Sequence, residues 1–296
     1  MADSSSARVN VRSEDLSAEI DATGAQLWSL KDREGRDLLW KGDAKVWASR
    51  APLLFPIVGT LAGGHYRLGS KPFALSRHGF ARGKPFQLVS HTSSKAVFRL
   101  VSDDSTLAVY PFAFELDVSF ELQAATLGVT ASVRNTGRET LFASIGFHPA
   151  FQWPLPYGEE RAAHFIEFER DEPAPVRRID SDGLLTSELH PTPVVQRRLP
   201  LADDLFRNDV LIFDEFASGS VSYGAPRGPR IEVRFPDATY LGLWTKPGAE
   251  FICIEPWQGV SDPAGFAGQL HEKPGIFSVA PGSSHSTHMA ITLLGT

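Results

Sequence analysis

The chain has 296 residues, 42% of them hydrophobic and 22% charged, with a formal net charge of −6. These proportions fit a folded globular protein with a sizeable core and exclude a largely disordered one. Lys and Arg are scattered along the chain, so the basic footprint of a nucleic-acid binder is missing, and no run approaches the roughly 18 apolar residues of a membrane-spanning helix.

The first eight residues are small and polar. They lack the apolar core of a secretory signal, so a flexible N-terminal segment and a cytoplasmic location are expected. Residues 96–101 are apolar and branched. In 112–122, Phe112, Phe114, Leu116, Val118 and Phe120 share one face, and Leu127, Val129, Ala131 and Val133 continue the pattern. Alternation of this length predicts half-buried strands in antiparallel sheets. Asn135-Thr136-Gly137 reads as a turn before a strand over 141–147. The charged, Pro-rich stretch 154–200 reads as long surface excursions within one domain rather than as a linker. A short helical turn is predicted at 203–206. Further strands are predicted at 210–213, 231–235, 240–244, 251–257, 276–280 and 288–294. With 21 prolines, 25 glycines and no long amphipathic helix, a Rossmann or TIM architecture is excluded. No Walker or Gly-x-Gly-x-x-Gly motif is present. One large all-β domain over 1–296 is the expected fold.

The chemistry concentrates at a few strand ends. Glu255 closes the apolar run Phe251-Ile252-Cys253-Ile254 and precedes Pro256-Trp257. A carboxylate there is costly to bury without a partner or a role. It shares a face with Cys253 and Phe251, and Pro256 is expected to end the pairing soon after it. Apolar neighbours and Trp257 raise its proton affinity; a structural Glu paired with an Arg is the plain alternative. His148, in Gly146-Phe147-His148-Pro149, has Ser144 and Gly146 on its own face, with Phe147, Phe151 and Trp153 as nearby rings for the C–H face of a sugar. His78 lies between Arg77 and Gly79 with Arg82 following, and these cations favour its neutral form. Asp209 and Asp214 bracket the apolar run 210–213, and the pattern alone does not choose between them. Cys253 is the single cysteine, which excludes an intramolecular disulfide and a thiolate cluster; it reads as a buried, unreactive thiol. His285 and His288 fall on opposite strand faces, a poor metal pair. His91 and His271 read as loop residues, and Asp103-Asp104 as a solvated turn.

Taken in order, 51–59 (Ala-Pro-Leu-Leu-Phe-Pro-Ile-Val-Gly), 77–82 (Arg-His-Gly-Phe-Ala-Arg), 146–151 (Gly-Phe-His-Pro-Ala-Phe), 208–213 (Asn-Asp-Val-Leu-Ile-Phe) and 253–257 (Cys-Ile-Glu-Pro-Trp) resemble the aldose 1-epimerase (mutarotase) family, in particular its smaller bacterial branch. The resemblance implies a large antiparallel β-sandwich of the galactose mutarotase-like (supersandwich) type. It implies Glu255 as general base and His148 as general acid, with His78, Asp209, Arg82 and Trp257 in contact with substrate. Many family members carry an arginine immediately after the Gly59 equivalent, where this chain has Thr60; Arg50 or Arg82 are the candidates to replace it. The implied reaction opens and recloses a cyclic hemiacetal. It moves protons and no electrons, so no cofactor and no metal are expected. The expected partner is a small sugar, with neither nucleic acid nor membrane, in a monomer or homodimer. Three other readings remain: a mutarotase of hexose 6-phosphates using Arg77 and Arg82, a metal site built from the two histidines and Glu255, and a non-catalytic carbohydrate-binding protein.

Overall fold

Alternating side chains along three long neighbouring strands, Phe114–Gln123, Thr126–Asn135 and Ser284–Leu294, build the first large sheet. Val129 stands opposite Phe120 on one side and Met289 on the other. Leu116, Val118, Phe120, Val129, Ala131 and Ile291 therefore share a buried face. The opposite face carries polar pairs such as Arg99 with Asp117 at 2.6 Å. Nine strands join this sheet, from Arg198–Pro200 at one edge to Gln87–His91 at the other. The structure, a computed structural model, describes residues 8–295. The expected flexible segment up to Ala7 lies outside them, and Arg8 already opens a strand, Arg8–Arg12.

A second, six-stranded sheet runs in the order Leu211–Phe213, Tyr240–Trp244, Phe251–Gln258, Ile145–Phe147, Leu53–Leu54, with Ala150–Gln152 also pairing with Phe251–Gln258. All pairings in both sheets are antiparallel. Rings bridge the layers: Phe55 meets Phe114 at 5.2 Å and Phe168 meets Phe213 at 5.2 Å. The result is the antiparallel β-sandwich expected from the sequence, closed around a core that draws residues from Val11 to Leu293. No helix among the described residues is long and apolar enough to cross a membrane.

Phe251–Gln258 is buried on both faces, which explains why its sequence is a continuous apolar run rather than an alternating one. Ile252 and Ile254 point into the core between the sheets. Phe251 and Cys253 point outward, under Trp40, Trp47 and Trp244. Glu255 and Trp257 continue that outer face. Pairing continues through Pro256 opposite Leu241 and Trp257 opposite Tyr240, and the strand ends at Gln258, soon after Pro256 as expected. Backbone alternation puts the ring nitrogen of Pro256 on the same side as the Ile254 N–H, which donates to Pro149 O at 3.2 Å. That side faces the gap between Ile145–Phe147 and Ala150–Gln152, where no ladder bond is lost.

Other boundaries differ. Residues 141–147 divide into Leu141–Ala143 and Ile145–Phe147, which belong to different sheets. The break falls at Ser144, whose Oγ accepts the Val58 N–H at 2.9 Å. The stretch 154–200 is not wholly excursion: Phe165–Phe168 and Arg198–Pro200 extend the nine-stranded sheet. His91 ends a strand and His271 sits in the turn Leu270–Glu272. The predicted turn appears as a 3₁₀ segment, Asp203–Phe206. Asp103 caps a one-turn helix, Asp104–Leu107, by accepting the Thr106 N–H at 2.8 Å.

Two glycines make room for the Trp257 indole. A Cβ at Gly146 would lie 2.5 Å from Trp257 Cδ1, and one at Gly242 would lie 2.5 Å from its far ring edge. Gly242→Ala is therefore expected to displace the indole and lower stability by about 1–3 kcal/mol. Denaturant unfolding together with tryptophan fluorescence checks both effects; an unshifted midpoint and spectrum contradict the packing argument.

Candidate active site

His148 occupies the gap between two short strands that both pair with Phe251–Gln258: Gly146 stands opposite Trp257 and Ala150 opposite Cys253. Pro149 interrupts the strand between them. This kink presents the imidazole to the outer face, with Nε2 3.0 Å from Glu255 Oε2. Glu255 is 1% exposed and His148 8%. Burial pushes the Glu255 carboxyl above its usual range and Asp209 adds to this, while His148 and Arg77 pull it back.

His78 reaches the same place from a tight turn. His78 and Gly79 both have positive φ, +67° and +71°, and a side chain at Gly79 would collide with the Phe55 carbonyl. The His78 N–H donates to Gly59 O at 2.9 Å, and the Gly59 N–H donates to His78 Nδ1 at 3.1 Å. A backbone N–H can only donate, so Nδ1 is the acceptor and the ring proton sits on Nε2. Arg77 Nε–H also points at the ring, toward Nε2 from 3.3 Å, but a neutral imidazole accepts at one nitrogen only. The shorter contact comes from the Gly59 backbone, held in place by the reciprocal His78 N–H to Gly59 O bond, so Nδ1 is assigned as the acceptor and Nε2–H faces the cavity beside Arg77. Burial holds His78 well below the usual histidine range, reinforced by His148, Arg77, Arg82 and Lys273. Burial is thus the larger cause favouring the neutral imidazole, and the cationic neighbours expected to do so are the smaller one.

Glu255, His148, His78, Asp209, Arg82 and Trp257, distant in sequence, line one cavity of about 220 Å³. Asp209 adopts φ +63° and its Oδ1 accepts the Val210 N–H at 2.7 Å. Asp214 is occupied elsewhere, 2.7 Å from Arg177, which separates the two acids that the pattern left equal. Arg82 lines the cavity whereas Arg50 stacks on Trp28 at 4.2 Å and donates to Trp28 O. Thr60 does not reach the cavity; its N–H donates to Ser261 Oγ.

The aromatic wall is not the one expected. Phe147, Phe151 and Trp153 lie in the core, and Gly146 lies against Trp257 rather than beneath His148. The rings at the cavity are Trp47, Trp244 and Trp257. Trp47 stacks on His148 with centroids 5.1 Å apart and planes at 27°, and Trp244 meets the imidazole edge-on at 5.9 Å. Sequence pattern did not single out Trp47 or Trp244; Arg77, which it offered only as a phosphate ligand with Arg82, also lines the cavity. A large aromatic amid Lys, Gly and Asp in 41–50 was the only local sign of Trp47. His148, Cys253 and Glu255 bring donor atoms within 4.8 Å of one another. Burial pushes the Cys253 thiol well up, so the set offers an imidazole and a carboxyl beside a protonated thiol rather than a zinc-type thiolate.

The sequence model of the aldose 1-epimerase family matches residues 8–215. The chain is 32% identical over 297 aligned positions to the chromosomal protein LacX of Lactococcus lactis, covering 97% of this chain and 99% of that one. A galactose mutarotase related enzyme from Lactobacillus acidophilus superposes with a TM-score of 0.90 at 30% identity, covering 98% of each chain. A galactose mutarotase-like protein from Lactobacillus casei gives 0.90 at 27% identity, covering 97% of this chain and 100% of that one.

The raised Glu255 carboxyl has a consequence for stability. The folded state holds this proton above the usual value of 4.5, so its contribution is largest at low pH and is lost as pH rises through the folded-state value. Glu255→Gln lacks this loss. Unfolding free energies measured from pH 4 to 8 are expected to shift in favour of Glu255→Gln, relative to the parent, as pH rises. A difference that stays constant or moves the other way contradicts the assignment.

Proposed function

This chain belongs to the aldose 1-epimerase family, and from that premise we propose that it interconverts the α and β anomers of a hexose, with Glu255 and His148 as its acid–base pair. Glu255 removes the proton from the anomeric hydroxyl while His148 delivers one to the ring oxygen. The C1–O5 bond breaks and the open-chain aldehyde forms. Rotation about C1–C2 presents the other carbonyl face, and closure with the proton roles reversed gives the other anomer. A base and an acid on two different oxygens avoid building up full charge on either. His78 Nε2–H donates to a sugar oxygen and Asp209 accepts from hydroxyls. The faces of Trp47, Trp244 and Trp257 take the C–H surface of the ring.

The observation that carries this reading is the 3.0 Å contact between His148 and a buried Glu255 at the wall of a pyranose-sized cavity. A carboxyl raised by burial is a stronger base than a free one. The three flanking rings favour a sugar over another hydroxyl compound as the proposed ligand. A second reading, a phosphorylated hexose, has its own support: burial and Arg77 both disfavour the charge on Arg82, and among the described residues no carboxylate offsets them. A substrate phosphate supplies that missing anion.

Glu255→Gln and His148→Ala are each expected to reduce anomer exchange by about 10²–10⁴-fold, with the fold intact by circular dichroism; polarimetry of a fresh single anomer measures it, and full turnover in either variant removes that residue from the mechanism. Exchange in the parent should fall as pH drops through the raised Glu255 value, above the ordinary carboxylate range, because protonation removes the base. A panel of free and phosphorylated hexoses separates the two substrate readings: Arg82→Ala raises KM selectively for phosphorylated sugars if the phosphate is the ligand. Binding of sugars without any exchange identifies a carbohydrate-binding protein instead.

A further inference from the structure

The His78 side chain is held by one short loop, and that loop rests on an ion pair that the proposed reaction does not use. Lys273 and Asp262 are 3% and 2% exposed. Lys273 Nζ donates to Asp262 Oδ1 at 2.8 Å and to Val260 O at 2.5 Å. Its ammonium therefore grips the residues on both sides of Ser261. Onto this tripeptide the loop 59–62 is stitched. The Thr60 N–H donates to Ser261 Oγ at 3.0 Å, the Asp262 N–H donates to Thr60 O at 2.9 Å, and the Ala62 N–H donates to Asp262 Oδ2 at 2.9 Å. Gly59, with φ +77°, packs so closely that a Cβ there would sit 2.5 Å from the Ser261 backbone. Gly59 in turn supplies the N–H that makes His78 Nδ1 an acceptor.

We propose that Lys273 and Asp262 are positioning residues that, through Ser261 and Gly59, lock His78 as the Nε2–H tautomer facing the cavity. Stability alone is a poor account of the pair, because buried ion pairs are commonly matched by neutral replacements of similar volume. What a neutral replacement does not reproduce is the simultaneous hold on Val260 O and the Asp262 carboxylate. Asp262 without a cation would be a buried unpaired charge, and Lys273 without Asp262 likewise, so the two function as a unit. The lock matters because the tautomer decides whether His78 offers the cavity a donor or an acceptor. Lys273 also adds to the cationic surroundings that keep the ring neutral. The catalytic consequence rests on the proposed anomerisation; the tautomer lock does not.

The test replaces both charges together, Asp262→Asn with Lys273→Met, in the full chain. Long-range proton–nitrogen correlation spectra of ¹⁵N-histidine protein report the tautomer of each ring, and His78→Gln assigns the His78 signals. The parent should show His78 with Nε2 protonated and Nδ1 bare. The double variant should show a mixture of tautomers, and anomer exchange reduced roughly tenfold, the size of one hydrogen bond. A folded double variant with the parental His78 pattern overturns the proposal. Should the double variant not fold, Ser261→Ala, which deletes the Thr60 contact alone, decides: a shifted His78 pattern supports the lock and an unchanged one overturns it. A parent without exchange but with the expected His78 signals fails the anomerisation reading and leaves the lock standing.

Discussion

A carboxyl group in the middle of a fully buried strand has to be compensated, and Glu255 is compensated by His148 at 3.0 Å. Removing a carboxylate from water costs several kcal/mol even after relaxation. The outer face of the six-stranded sheet is arranged around that fact. The partner strand is cut in two so that an imidazole faces the carboxyl. Pro256 is tolerated in a central strand because its missing donor faces this same cut. Gly146 and Gly242, on the flanking strands, leave space for Trp257 to lie flat beside the pair. Each of these is a departure from an ideal sheet, and all of them lie around one carboxyl.

Much of this was legible in the sequence, for physical reasons that differ by residue. The alternation in 114–123 and 126–135 exposes a half-buried sheet directly. Glu255 stood out because a charge inside an apolar run contradicts its surroundings. His148 and His78 stood out through their neighbours, Pro149 and Gly79, which mark places where regular backbone ends. Trp47 and Trp244 did not stand out, because their role depends on a loop folding back over a strand and nothing local encodes that closure. The aromatics that do look prominent in sequence, Phe147, Phe151 and Trp153, fill the core. Periodicity tells which residues share a face but not which face of a doubly covered sheet carries the cavity. Lys273, Ser261 and Asp262 were equally silent, since a buried ion pair between loop residues has no sequence period. The split at Ser144 was missed because one apolar stretch serves two sheets, and only the Val58 contact reveals where the chain changes allegiance.

The two cavity histidines are held in opposite ways. His78 has its Nδ1 fixed by a backbone donor, so its ring has one tautomer and presents a donor to the cavity. Among the described residues His148 Nδ1 has no hydrogen-bond partner, although the ring is clamped between the face of Trp47 and the edge of Trp244. Its orientation is fixed by packing and by the Nε2 contact with Glu255 at 3.0 Å. For the proposed chemistry the difference is useful. The polar partner of His148 is the other member of the proposed acid–base pair, whereas His78, which only positions substrate in that scheme, is locked by backbone. An unpaired ring nitrogen carries a cost of order 1–3 kcal/mol when buried, and aromatic stacking on Trp47 is the interaction available to offset it. Trp47 thus belongs both to the proposed sugar-facing wall and to the clamp on the proposed acid, which couples binding to proton transfer through one side chain.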